Sequence, residues 1–480
     1  MRPVYFRHTA LLFIALAIFT IQGCTRRGGP SLETVSATAD WVAVIDLKQI
    51  NQDSASAHSH NPAAIISSLL PEEFSYSFRI LTPYIDNDRL IIFKPAETRG
   101  PVAAAGVSDP SAFADALKAD SWSKIKVNGE TAYAPEGARE FSPCLFIEGK
   151  TVFLVATRSD MRNLRLSLKS ADSDNYLTKV PKPLLPAESE LTFFASLPNN
   201  DNELICIKAQ TDPSNNSISF RAIITESGSD KSGEPIEMSF LKPLESDSIP
   251  GLSELPGGYS LRGVFGIPSG INWKALADIA DGSLDTRSLG LLQSLLPYMS
   301  RLDGPLAVGI GPFDFSNMTA DRLEAQTIYV CATFQPGKAA EVVNEINGNL
   351  REKGLDPRPG ANGIYAFNLN GTSYRYVSRG NEFLFAQNRE INDKWDSDIE
   401  IDPKTTGSLT LMLPPLRSII PDAPSNNSIS ASLKMTSKEI NLTITCTSGS
   451  PLVALPTYFE SISTALRNFD LSNEDYFDTY

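Results

Sequence analysis

Three histidines are all the chain offers for acid–base work at neutral pH. His8 lies in the N-terminal apolar run, and His58 and His60 form a His-x-His in the polar stretch 51–60. On a strand, positions i and i+2 share a face, so this pair has the spacing to grip a metal ion, with Asp53 as the nearest further ligand. Its polar company reads instead as a solvated loop, and no metal is assigned. Asp86-Asn87-Asp88 and Asp172-Ser173-Asp174-Asn175 hold oxygen ligands suited to calcium. Neither is followed by the glycine and bidentate glutamate of an EF-hand loop, so both read as turns.

Nucleophile chemistry has one echo. Ser121-x-x-Lys124, Ser173-Asp174-Asn175 and Lys404-Thr405-Thr406-Gly407 loosely follow the serine β-lactamase set. The third element is broken, and Ser121 follows a helical stretch instead of opening one, so its hydroxyl lacks a helix N-terminus. No G-x-S-x-G, P-loop or G-x-G-x-x-G unit is present. The reading assigns no catalytic residue and no cofactor and leans away from an enzyme. The alternatives are a hydrolase with an unrecognised carboxylate pair and a carbohydrate-binding accessory protein with a row of exposed aromatics. Of the tryptophans, Trp41 and Trp273 sit in apolar segments and read as core. Trp122 and Trp395 sit among polar residues and are the candidate ligand contacts.

One cysteine has a chemistry of its own. Arg2 and Arg7 precede an apolar run, Ala10 to Ile21, too short to span a bilayer. It ends in Ile21-Gln22-Gly23-Cys24, which resembles a bacterial lipobox with Gln22 replacing the usual small residue. The resemblance implies that Cys24 is diacylated and becomes the mature N-terminus. Thr25 to Ser31 reads as a flexible tether. Arg26 and Arg27 stand where surface-exported lipoproteins carry acids. The expected address is therefore the cell envelope, lipid-anchored, at the outer membrane facing the periplasm. The other four cysteines, Cys144, Cys206, Cys331 and Cys446, have no metal spacing and lie in strand-like runs. They read as buried free thiols, with a disulfide as the alternative.

The formal net charge is −14, which argues against nucleic acid as a partner, because phosphate binding needs clustered Lys and Arg. The expected partners are the membrane, through the lipid, and an envelope protein or glycan.

The elements that would position these residues repeat themselves. Pro213-Ser214-Asn215-Asn216-Ser217-Ile218-Ser219 recurs as Pro424 to Ser430. Pro, Ser and paired Asn favour a turn, and Ser-Ile-Ser starts a strand. Short strands joined by turns such as Asn128-Gly129, with helices started by Asp109-Pro110-Ser111, at 159–169 and from Pro336 to Leu350, run in similar order in the two halves. The expectation is an α+β fold: two tandem diverged repeats, each a largely antiparallel sheet with a few helices, plus a C-terminal helix. The boundaries are 1–23 signal peptide, 24–35 tether, 36–230 repeat 1, 231–255 connector, 256–449 repeat 2, and 450–480 helix and acidic tail. The two Asn-Asn turns are expected to be equivalent, and any ligand to sit between the repeats or at their loop ends. With the strand Val42-Ala43-Val44-Ile45-Asp46-Leu47 just after the tether, the chain resembles internally duplicated envelope lipoproteins of Bacteroidetes type. That family has no activity to transfer.

Overall fold

The computed structural model describes residues 30–46, 85–119, 122–139, 142–185, 191–197, 200–238, 242–244, 260–271, 273, 296–311, 327–369, 371–391, 405–419 and 426–449, with 451, 454, 455, 458 and 461. Cys24, the signal segment, Asp53, His58, His60 and Trp395 lie outside them. The chain divides into two compact units: Met1–Ile236 with Ser448–Pro456, and Glu237–Thr447 with Thr457–Tyr480.

In the first unit, β1 (Trp41–Asp46) is buried along its whole length. A strand covered on both faces needs a continuous apolar run, and Trp-Val-Ala-Val-Ile supplies it. Next come β2 (Ile85–Lys94), β3 (Val102–Val107), α1 (Pro110–Ala119), β4 (Trp122–Val127), β5 (Glu130–Pro135), β6 (Cys144–Glu148) and β7 (Thr151–Val155). After α2 (Arg158–Ala171) the unit closes with β8 (Leu191–Leu197), β9 (Asn200–Asp212) and β10 (Ser217–Glu226). Side by side the order is β4-β5-β6-β7-β3-β2-β1-β8-β9-β10, every pairing antiparallel. Asp109 caps α1, its carboxylate accepting from the amides of Ser111 and Ala112. Asn128 and Gly129 both adopt positive φ between β4 and β5, as a two-residue hairpin requires.

The second unit has β11 (Leu261–Ile267), β12 (Leu302–Ile310), β13 (Ile328–Phe334), α3 (Lys338–Glu352), β14 (Arg358–Pro359), β15 (Tyr365–Leu369), β16 (Thr372–Arg379), β17 (Glu382–Gln387), β18 (Thr405–Leu413), α4 (Leu416–Ile419), β19 (Ile429–Thr436) and β20 (Glu439–Cys446). Its order is β14-β15-β16-β17-β13-β12-β11-β18-β19-β20, again all antiparallel. Alternation along β13 sends Cys331 to one apolar cluster, with Leu384 and Ala386, and Ala332 to another, with Phe334 and Val342 of α3.

The strand content corrects the expected α+β fold of two tandem repeats. The fold is predominantly antiparallel β: strands make up most of it, and helices contribute a minority of the described residues. Tight Asn and Gly turns let consecutive strands pair directly, so few crossover helices are needed. The duplicated phrase is misleading for a related reason. Its first copy forms the β9–β10 turn, with Asn216 at φ 48°. The second copy precedes β19: Asn427 accepts from the Leu416 amide, and Thr447 Oγ1 accepts from the Ser428 amide. The β19–β20 turn falls at Ser437-Lys438 instead. The two copies therefore serve different connections. Short polar turn phrases are cheap to arrive at independently, because the same few residues satisfy many turns.

The described residues of the expected connector are held by backbone hydrogen bonds. Ile236 donates to Ile224 O in the first unit. In the second, Met238 donates to Ser437 O, Lys242 to Gly266 O and Leu244 to Thr405 O. Gly266 is obligatory there, since a Cβ would lie 2.0 Å from Lys242 O. At the C-terminus, Pro451, Ala454, Leu455, Tyr458 and Ser461 are helical, and the Tyr458 hydroxyl donates to Pro414 O at 2.9 Å.

Candidate functional site

Strand alternation on the β15–β17 hairpins gathers aromatic rings on one face. Tyr365, Phe367 and Leu369 are i, i+2 and i+4 on β15, and their partners on β16 are Tyr376, Tyr374 and Thr372. Tyr376 in turn faces Phe385 on β17. Tyr365 and Tyr376 stack at 5.7 Å with 14° between planes, Phe367 and Tyr374 at 4.8 Å and 14°, and Tyr374 lies 6.2 Å from Phe385. Such cross-strand aromatic pairs hold an antiparallel hairpin together. Tyr376 is the buried anchor: its hydroxyl donates to Asn347 Oδ1 on α3 at 2.7 Å, in an environment that leaves Asn347 only 4% exposed. Loss of hydration there pushes the Tyr376 phenol up to about 12. The rest of the row is half-buried, and Leu369 at its end is exposed.

This row also lies at a sheet edge. β14 pairs only Arg358 with Ala366 and Pro359 with Tyr365. Beyond Ala366, no described strand pairs with the outer side of β15. Unpaired edge backbone beside an apolar row is the geometry that accepts an added strand.

The residues singled out in the sequence fare differently. Trp122 is buried, 3% exposed, where it opens β4 behind α1, and does not offer the exposed ring the sequence suggested. Trp41 is core, tilted against Phe193 at 5.9 Å, and Trp273 packs at the edge of the α3 cluster. Asp172 to Asn175 form a stitched turn: Asp174 O accepts from the Ala37 amide and its carboxylate from Thr178. Thr405 and Thr406 are buried in β18. The four cysteines are free and buried, and desolvation pushes Cys144, Cys206 and Cys331 up to about 12 and Cys446 to about 11. Among the described residues, no three His, Cys, Asp or Glu side chains converge on a point a metal ion would occupy. Glu382 is the described carboxyl whose pKa is raised, by half-burial, with Arg379 opposing the shift. The aromatic row holds no tryptophan, the ring type that polar surroundings single out in the sequence. Its signal is Tyr-x-Phe-x-Leu followed by Tyr-x-Tyr on the next strand.

No family model matches the sequence, and no curated protein matches it. Among solved structures, two crystal forms of TP0453, a Treponema protein, are similar at 12% identity over 41% and 42% of this chain and 80% of theirs, with TM-scores of 0.28 and 0.29. A third form covers 76% of this chain and 94% of that one at 9% identity and a TM-score of 0.23. Likenesses this weak carry no argument. Among the described residues, no helix is long and apolar enough to cross a membrane.

Proposed function

We propose that the chain is a lipid-anchored protein of the bacterial cell envelope that binds or scaffolds another envelope component without catalysing a reaction. The lipobox-like Ile21-Gln22-Gly23-Cys24 supports the anchor. The observation that carries the binding reading is the half-exposed row Tyr365, Phe367, Leu369 at an incompletely paired edge. The near-parallel ring pairs use their faces on one another. A sugar stacks on a free ring face, whereas an extended peptide needs apolar contacts and edge backbone. An extended, apolar segment of an envelope protein therefore fits better than a glycan.

The test is a panel of envelope-derived peptides and glycans presented to the mature chain and to its Phe367→Ser variant. Peptide binding that falls at least about tenfold in the variant supports the reading. Glycan binding, or peptide binding indifferent to Phe367, overturns the site. Turnover of any panel member, abolished by one carboxylate substitution, replaces the binding reading with an enzyme.

A further inference from the structure

Helix α2 presents two faces of opposite character. Asp160, Met161, Leu164, Ser167 and Ala171 are buried. Arg162, Leu166 and Lys169, at i, i+4 and i+7, point to solvent, and Leu166 is 56% exposed. The other two cations of the helix are occupied. Arg165 pairs with Glu130 and lies over the Phe146 ring at 4.9 Å, and Arg158 donates to Ala138 O. No described carboxylate pairs with Arg162 or Lys169. Two exposed cations thus flank an exposed leucine on one helix face.

The chain's entry into the fold lies beside this helix. Ser31 caps a single turn, Leu32–Thr34. Leu32 and Val35 join the same core as Leu164. Val35 O accepts from the Tyr176 amide, Ala37 donates to Asp174 O, and Ser36 Oγ lies 3.4 Å from Ser170 Oγ at the end of α2. Only residues 25–29 separate Cys24 from Pro30. At about 3.5 Å per residue they reach roughly 20 Å.

From these observations we infer that the Arg162–Leu166–Lys169 stripe is the surface on which the first unit rests against anionic lipid headgroups of the bilayer that holds its anchor. The inference deepens the lipid-anchor reading and rests on it for the tether's origin. Charge complementarity chooses the occupant: basic side chains near an anionic leaflet are attracted, and a leucine between them enters the headgroup boundary. Asp172 just beyond the helix and Glu97, whose carbonyl accepts from the Asn163 side chain, are exposed beside the stripe, so the contact is weak in free solution and takes effect once the tether holds the protein close. Arg26 and Arg27 add to the same attraction from the tether.

The experiment replaces the signal and Cys24 with a hexahistidine tag and tethers the chain to vesicles carrying nickel-chelating lipid, so it is independent of acylation. Leu166→Cys is labelled with an environment-sensitive dye, which the four buried thiols leave specific. On phosphatidylglycerol-rich vesicles the dye emission is expected to shift to the blue relative to phosphatidylcholine vesicles. Adding Arg162→Glu and Lys169→Glu is expected to remove the shift, as is high salt. Met412→Cys, an exposed apolar position of the second unit, is expected to show none. Equal emission on both vesicles, or an equal shift at position 412, overturns the inference. An acyl mass on the natural chain is scored separately and bears only on the anchor.

Discussion

Asp160 shows how a charged residue becomes structural. It is 1% exposed in the first turn of α2 and accepts from the Arg99 amide at 2.8 Å and the Thr157 hydroxyl at 2.8 Å. Asp160→Ala leaves the Arg99 amide without its partner and the Thr157 hydroxyl with only Ser159 Oγ to bond, and is expected to cost about 2–3 kcal/mol, read as a lower urea midpoint. The buried thiols make a second prediction. In the native chain, Cys144, Cys206, Cys331 and Cys446 are expected to resist iodoacetamide at pH 8 and to react fully only in denaturant. They also set an alkaline limit. Unfolded, each ionises near 9.0; folded, three of them ionise near 12 and Cys446 near 11. Above pH 9 the folded state therefore holds protons that the unfolded state has lost. Their contribution to stability is complete below pH 9 and is lost as pH rises toward 12, which a series of melts across that range checks. The burial of these cysteines was legible because each sits inside an apolar strand-like run such as Cys-Leu-Phe-Ile. That of Trp122 was not. Its sequence neighbours are polar, and its cover comes from packing that the neighbours do not announce, α1 lying on β4.

Gly266 matters at the scale of elements because it lets the connector lie against β11. Gly266→Ala would drive Lys242 O away. It is expected to lower stability by about 1–3 kcal/mol and to make the chain at Lys242 a protease site under native conditions. Limited proteolysis with mass mapping reads both effects. The contact between α3 and β16 has its own test: Asn347→Leu strands the Tyr376 hydroxyl and is expected to cost about 1–2 kcal/mol. Helices α1, α2 and α3 were readable from caps and apolar spacing, since Asp109, Thr157 and the Val342-Val343-Ile346 stripe act within one turn of themselves. Which strands would neighbour one another was not readable. β1 pairs with β2 and β8, and β3 with β7, partners that share no local signal. The Asn-Asn phrase failed for the converse reason: it is purely local, and two different connections satisfy it. The aromatic row needed the register of β15 on β16, because Tyr365 meets Tyr376 only once the hairpin is closed.

At the scale of the whole molecule, the anchor is the decisive claim. Cys24→Ser is expected to abolish acylation and release the protein from the membrane fraction, as intact mass and fractionation would show. An unacylated wild type overturns it. The pairing of β1 bears on how such a protein is made. Val44 must wait for Thr192 before that side of β1 is closed, so a growing chain carries Trp-Val-Ala-Val-Ile bare while the intervening residues are still being made. A nascent chain with an unclosed sheet is sticky for that interval. Early truncation ahead of β8 should therefore yield insoluble product rather than a smaller folded unit.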